Sequence, residues 1–314
     1  MSQSDKSKRR RGDRRLKAVA VLPSLATLGN LVCGFGAIYL CLLSIGAAGD
    51  DLAKPTLNNP RMESWFPTYL AIAAYLLFLA MFFDVLDGAL ARLTRKTTDF
   101  GAQLDSLADM VSFGVAPALL VLVIARPSVI PLADSGWLAR TWWRTEWVML
   151  AVYVCCAAIR LARFNVEHVK DEWGHRFFRG LPSPGAAAAV CTIVILHEEY
   201  IRGQSELMSS IVGYSAAPIT MLIGLMMVGG WRYPHMLNTV LRGRRPLSHI
   251  LIMMAVILGA GTIQPQLALL VLACGYALVG PLLAIRRRWF GGRTTEEPAT
   301  AAASESSESS TAVN

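Results

Sequence analysis

Charged residues are scarce in this chain. Asp, Glu, Lys and Arg make up 17% of its 314 residues, against about 25% in an average soluble domain. Apolar residues reach 54%, and they are gathered into long continuous runs. Strict alternation of apolar and polar residues is missing, which excludes the strand pattern of a membrane barrel. No internal repeat is visible. No C-x-x-C pair occurs among Cys33, Cys41, Cys155, Cys156, Cys191 and Cys274. All six fall in apolar runs, where a free thiol behaves as a small buried apolar group. His168, His175, His197, His235 and His249 show no ligand spacing such as H-E-x-x-H. They read as ordinary loop or interface histidines.

What is present is a series of apolar runs, each about as long as a bilayer core requires, roughly 20 residues per helical span. Backbone polar groups at that depth must be satisfied within the segment, so continuous runs mean helices. The expected fold is all-α, a polytopic membrane protein of about eight spans. These lie at 22–48, 66–92, 103–125, 146–164, 184–200, 210–230, 248–263 and 266–285. The first run is longer than the ~7–15 residues of a signal-peptide core, so it reads as an uncleaved span. His197, Glu198 and Glu199 crowd the end of the fifth. Thr262 to Gln266 form a tight hairpin between the last two.

Lysine and arginine set the orientation. With the N-terminus in the cytoplasm, the inside segments carry 24 of the 30 basic residues, eight of them in residues 1–17, and the outside segments carry 6. Eight spans with both termini cytoplasmic therefore account for the net charge of +8 without a nucleic-acid partner. The chain divides into a basic N-terminal interfacial segment (1–21), a membrane domain (22–230), a cytoplasmic loop (231–247), a C-terminal transmembrane hairpin (248–289) and a disordered tail (290–314). The basic segment is expected to lie on anionic lipid, at about 1 kcal/mol per charge near the surface. The tail is Ser, Ala, Thr and Glu, too poor in apolar surface to fold.

Four aspartates interrupt the apolar pattern. Asp84, Asp87, Gly88, Ala91 and Arg92 fall at i, i+3, i+4, i+7 and i+8, one face of a helix. Gly101, Asp105 and Asp109 repeat every fourth residue on the next span. The linker 93–100 is short, so the two helices are antiparallel neighbours and both acidic stripes lie near their cytoplasmic ends. A charge at the bilayer centre costs at least about 2.5–3.5 kcal/mol. Four carboxylates in one place call for compensating charge, which two divalent cations would supply. All-oxygen ligands favour Mg²⁺ or Mn²⁺ over zinc. Gly88 and Ala91 leave room for a bulky group against the backbone, and Arg92 can clamp a phosphate. Together these features describe a site for a nucleotide diphosphate. Two plainer readings compete with it. Small residues on a membrane helix serve helix packing, and acidic ones can line a proton or cation pathway.

The full pattern, Asp84-x2-Asp87-Gly88-x2-Ala91-Arg92-x8-Gly101-x3-Asp105-x3-Asp109, resembles the signature of the CDP-alcohol phosphotransferases at all eight fixed positions. Within that superfamily the chain is similar to the bacterial and archaeal membrane-embedded phosphatidylserine synthases. Three further stretches carry the narrower likeness: Leu22-Pro23-Ser24 with Thr27 and Asn30, Leu104 through Pro117, and Arg160 to Asn165 followed by Gly180 to Pro184. It covers about residues 16–230. Ser24 is a mild departure, since the family often has Asn there.

The resemblance implies an enzyme, a metal-dependent CDP-diacylglycerol–serine O-phosphatidyltransferase of phospholipid biosynthesis. It would transfer a phosphatidyl group to L-serine and release CMP. Asp109 would be the catalytic base. Asp84, Asp87 and Asp105 would hold metal, with Asp109 sharing the second ion. Thr27, Asn30, Gly88, Ala91, Arg92 and Gly101 would bind CDP-diacylglycerol, and Arg163 with Asn165 would meet serine. A homodimer and a cytoplasm-facing site in the cytoplasmic membrane are implied as well. Alternatives are the same chemistry on glycerol 3-phosphate, an inositol phosphate or choline, and, in another class, a cation or proton transporter.

Overall fold

A computed structural model describes residues 3–46, 68–94, 99–133, 137–170, 177–201, 205–234 and 265–290. Among the described residues helices dominate, as apolar backbone without access to water requires. They are α1 (Gln3–Gly46), α2 (Tyr69–Thr94), α3 (Asp99–Asp109), α4 (Ala116–Ala133), α5 (Trp137–Lys170), α6 (Ser183–Leu196), α7 (Glu206–Val228) and α8 (Pro265–Phe290). Two π turns interrupt the pattern, Met110–Val115 between α3 and α4 and His197–Ile201 after α6. The expected all-α fold also gains a small ribbon. Strands β1 (Phe177–Arg179) and β2 (Arg232–Pro234) pair antiparallel, Phe178 opposite Tyr233.

Five helical segments are long and apolar enough to cross a membrane: Ser24–Ile45, Tyr69–Leu90, Phe100–Ala125, Arg144–Val166 and Leu207–Val228. The chain is thus an integral membrane protein, with spans one to four and six where the apolar runs placed them. The expected fifth span, 184–200, is different in kind. Helix α6 has 14 residues and the π turn that follows it another 5, a helical run of about 28 Å at roughly 1.5 Å per residue, close to a ~30 Å hydrocarbon core. Most of it is buried, including Ala186, Ala187, Val190, Cys191 and Val194. A helix apolar on every side belongs inside a protein core, and a π turn extends its far end. The expected eighth span is present as a shorter apolar helix, Ala268–Leu283. The expected seventh span, the cytoplasmic loop beyond residue 234 and the tail beyond residue 290 lie outside the described residues. The basic N-terminal segment is helical from Gln3 and runs into the first span without a break.

Residues Met1–Gly280 form one compact unit and Pro281–Asn314 a second, whose described part is the last turns of α8 to Phe290. In the first unit, α1 packs chiefly on α2, α5 on α7, and α4 on both α5 and α7. The core is built from Leu77, Leu120, Ile124, Tyr153, Leu181, Ile195 and Met227 with many alanines. A smaller cluster joins Cys33, Ala80, Phe113 and Ala187. Cys155 is exposed on α5, while Cys33, Cys41, Cys156 and Cys191 are buried. Cys274 is half-buried, so the expectation of six buried thiols fails at Cys155 and is met only in part at Cys274, because the outer face of a membrane helix is apolar too.

Gly180 turns the chain from the ribbon into α6. Its φ is +88°, and a Cβ there would collide with the Met227 carbonyl. Its N–H bonds Trp231 O at 2.9 Å, and Leu181 N–H bonds Met226 O at 3.0 Å. These bonds fix the start of α6 against the end of α7.

Candidate active site

Packing brings together the middle of α1, the late turns of α2 and α5, the second half of α3 and the start of α6. Helix α2 contributes Asp84, Asp87 and Gly88, and α3 contributes Gly101, Asp105 and Asp109. Carboxylate oxygens of Asp84, Asp105 and Asp109 all lie within 4.8 Å of one another. Asp109 is only 8% exposed, and the other two are half-buried. Two unit charges at that separation repel by about 3 kcal/mol even at an effective dielectric near 20. Three such pairs stay together only if positive charge is supplied or protons are taken up.

The fourth aspartate is held apart. Thr27 on α1 donates its hydroxyl to Asp87 Oδ2, so Asp87 sits at the edge of the cluster. One turn on, Asn30 Nδ2 donates to Asp109 Oδ1 at 3.0 Å. Asn30 is fully buried, and its side-chain oxygen has no hydrogen-bond partner among the described residues. The neighbouring carboxylate, an acceptor only, requires the N–H₂ side of the amide to face it. The buried oxygen is then free to receive a ligand. Thr27, Asn30, Gly34, Ala37 and Cys41 fall at helical spacing on the inner face of α1. Gly34 lets that face come close, since a Cβ there would lie 2.9 Å from the Ser112 Cα. Thr27 and Asn30, expected to meet nucleotide, are thus tied first to the aspartates.

The basic side of the site comes from α5. Arg160 lies within electrostatic reach of both Asp109 and Asp84. Its guanidinium donates to Ser183 Oγ at the start of α6, and Ser183 is fully buried. Arg163 sits half-buried one turn further on. Asn165 Nδ2 donates to Ser106 Oγ at 2.9 Å, and Ser106 also bonds Ala102 O at 3.0 Å. Asn165 therefore braces α5 against the helix that carries Asp105 and Asp109. Sequence reasoning passed over Ser106, Ser112 and Ser183; small hydroxyls in a membrane helix give no signal until their partners are known.

Gly88 settles one of the competing readings. Among the described residues, a Cβ at this position would meet nothing within 4 Å, so packing against them does not require a glycine here. It faces open space beside the carboxylates. Ala91 and Arg92 continue α2 in register with it, and their side chains lie outside the described residues.

A protein-family model, CDP-alcohol phosphatidyltransferase, matches residues 20–228, which include every helix that contributes to this cluster. The chain belongs to that family. As a CDP-alcohol phosphatidyltransferase it resembles curated proteins named CDP-diacylglycerol–serine O-phosphatidyltransferase. The Helicobacter pylori (strain J99) protein is 34% identical over 167 residues, 52% of this chain and 61% of the relative. That of Methanocaldococcus jannaschii is 33% identical over 165 residues, 52% and 65%. The Saccharomyces cerevisiae protein is 37% identical over 129 residues, 40% and 41%. The chain spans less than two thirds of the length of each. The family is divalent-cation dependent, and this chain's residues fit such an ion. Three carboxylates converge within 4.8 Å beside an orphaned buried amide oxygen, an all-oxygen donor set that suits a hard cation.

Proposed function

We propose that this CDP-alcohol phosphatidyltransferase moves the phosphatidyl group of CDP-diacylglycerol to L-serine and releases CMP. The observation that carries the reading is the convergence of Asp84, Asp105 and Asp109 beside the open backbone at Gly88. The family supplies the reaction class, and the names of the relatives supply serine. Bound Mg²⁺ or Mn²⁺, two ions in the full site, would polarise the diphosphate and offset the charge that develops on departing CMP.

Each residue then has a task. Asp109 accepts the proton of the serine hydroxyl, a weak nucleophile that needs a base within hydrogen-bond reach. Asn30 occupies one of its oxygens and leaves the other for that proton. The serine oxygen attacks the phosphatidyl phosphorus, and the bond from that phosphorus to the CMP oxygen breaks with its electron pair on CMP. Asp84, Asp87 and Asp105 would hold metal, with Asp109 sharing the second ion and Thr27 setting the orientation of Asp87. Gly88, Ala91 and Gly101 accept the cytidine end and Arg92 a phosphate. Arg163 and Asn165 line the acceptor side, and Arg160 adds a cation where the serine carboxylate would arrive.

The positive-inside asymmetry supports a cytoplasmic site, with eight spans and both termini on that side. A homodimer is part of the same reading. The transporter alternative gives no role to the open face at Gly88. Purified protein in mixed micelles with CDP-diacylglycerol and Mn²⁺ tests the acceptor. Serine-dependent CMP release supports the reading; release with glycerol 3-phosphate, an inositol phosphate or choline, and none with serine, overturns it.

A further inference from the structure

The helix that carries Asp105 and Asp109 changes character directly after Asp109. Met110–Val115 form a π turn, in which the Ala116 N–H bonds the Val111 carbonyl five residues back. Pro117 explains why. It lacks an N–H, and its ring would press on the carbonyl four residues earlier, that of Phe113. A wider turn relieves the contact, and π turns of this kind recur at functional sites. The Phe113 carbonyl loses its regular helical donor at a depth where water does not replace it.

Tyr153 on α5 supplies a donor. Its hydroxyl bonds Phe113 O at 2.8 Å, and both residues are fully buried. Gly224 on α7 lets the α5 backbone sit in place, since a Cβ there would lie 2.8 Å from the Tyr153 Cα. On the other flank, the Ser112 hydroxyl donates to the Asn30 carbonyl at 3.0 Å. Asn30 in turn donates to Asp109. The connections close on themselves: Asp109 to Asn30, Asn30 to Ser112, and Ser112 back along the π turn to Asp109.

We infer that Tyr153 is a positioning residue, whose hydroxyl holds the π turn after Asp109 in the geometry that presents this carboxylate to Asn30, Asp84 and Asp105. It touches no reacting atom. Its effect reaches the site through the Phe113 carbonyl and the turn. The inference rests on the cation-site reading above, not on the identity of the acceptor.

Two full-length variants test it, Tyr153→Phe and the double variant Tyr153→Phe/Pro117→Ala. Alanine at 117 restores an N–H for the Phe113 carbonyl and removes the reason for the wide turn. The readouts are Mn²⁺ affinity by electron paramagnetic resonance without substrate, Tm, and kcat with KM for CMP release. Tyr153→Phe is expected to raise the Mn²⁺ Kd by roughly 10–100-fold, as loss of supporting shells around metal ligands does. KM for CDP-diacylglycerol stays within about twofold, the mark of a group that does not bind substrate. The double variant regains Tm but not Mn²⁺ affinity. Wild-type Mn²⁺ affinity in Tyr153→Phe overturns the role, whatever its Tm. Recovery of both Tm and Mn²⁺ affinity in the double variant overturns it too, since the hydroxyl would then only satisfy a carbonyl. If Tyr153→Phe does not fold, the double variant's Mn²⁺ affinity decides alone. Absence of Mn²⁺ binding in the wild-type chain removes the cation site itself, and this role with it.

Discussion

Two polar clusters lie one helix length apart at opposite ends of α6, and they are built on opposite principles. At the far end, His197 Nδ1 pairs with Glu198 at 3.0 Å and Nε2 with Ser209 at 3.0 Å. Glu199 bonds the Tyr75 hydroxyl, and Trp142 meets Tyr214 edge to face, ring centroids 5.4 Å apart. His197 and the Tyr75 hydroxyl are both paired there. His197 is 2% exposed, so the expectation of a loop or interface histidine was wrong at this position; a π turn folds it inward. At the near end three carboxylates converge on one another, with Arg160 as the cation in reach of two of them. Burial and polarity are common to both clusters. Among the described residues, three carboxylates within 4.8 Å of one another occur only in the second, and that is what distinguishes a site from a polar brace.

Mutations should separate the two ends, and the largest effect is expected at Asp109. Asp109→Asn keeps the shape of the side chain and removes its basicity, so CMP release should fall by about 10²–10⁴-fold while Tm holds. Asn30→Ala strips Asp109 of its donor. A drop of roughly 10–100-fold in activity or Mn²⁺ affinity should follow, read from a metal-activation curve. The glycines give the next contrast. Gly180→Ala should cost at least about 1–2 kcal/mol from the left-handed backbone alone, plus the collision with Met227, seen as a lower Tm. Gly88→Ala should leave Tm unchanged, since its Cβ meets nothing, and raise KM for CDP-diacylglycerol. The smallest effect on catalysis belongs to the far cluster. His197→Gln should lower stability by about 1–3 kcal/mol through unmet partners and leave kcat near wild type. A large loss of kcat there would erase the distinction between the two ends.

Helical spacing alone brought Asp84, Asp105 and Asp109 to one place, because side chains four residues apart share a face and the short 93–100 linker forces antiparallel neighbours. The same arithmetic does not show that Thr27 would engage Asp87, since a pairing across 60 residues depends on how α1 packs on α2. Arg160 and Arg163 are equivalent in spacing, one turn apart on α5. That Arg160 would bond Ser183 depends on where the start of α6 packs, which spacing does not give. The ribbon was illegible because three-residue strands are too short to show a period. The π turn did leave a trace in Pro117, four residues after Phe113, and that trace is readable only once Tyr153 is seen to answer it. The burial of α6 was not legible, since a run of alanines and valines does not distinguish a protein core from lipid exposure.

The central claim is that converging carboxylates, and not buried polarity in general, make the site. Mn²⁺ binding to the purified chain without substrate, compared between wild type, Asp105→Asn and Glu198→Gln, tests it directly. The account predicts that wild type and Glu198→Gln bind alike and that Asp105→Asn loses binding. Equal binding in Asp105→Asn, or loss in Glu198→Gln, would contradict it.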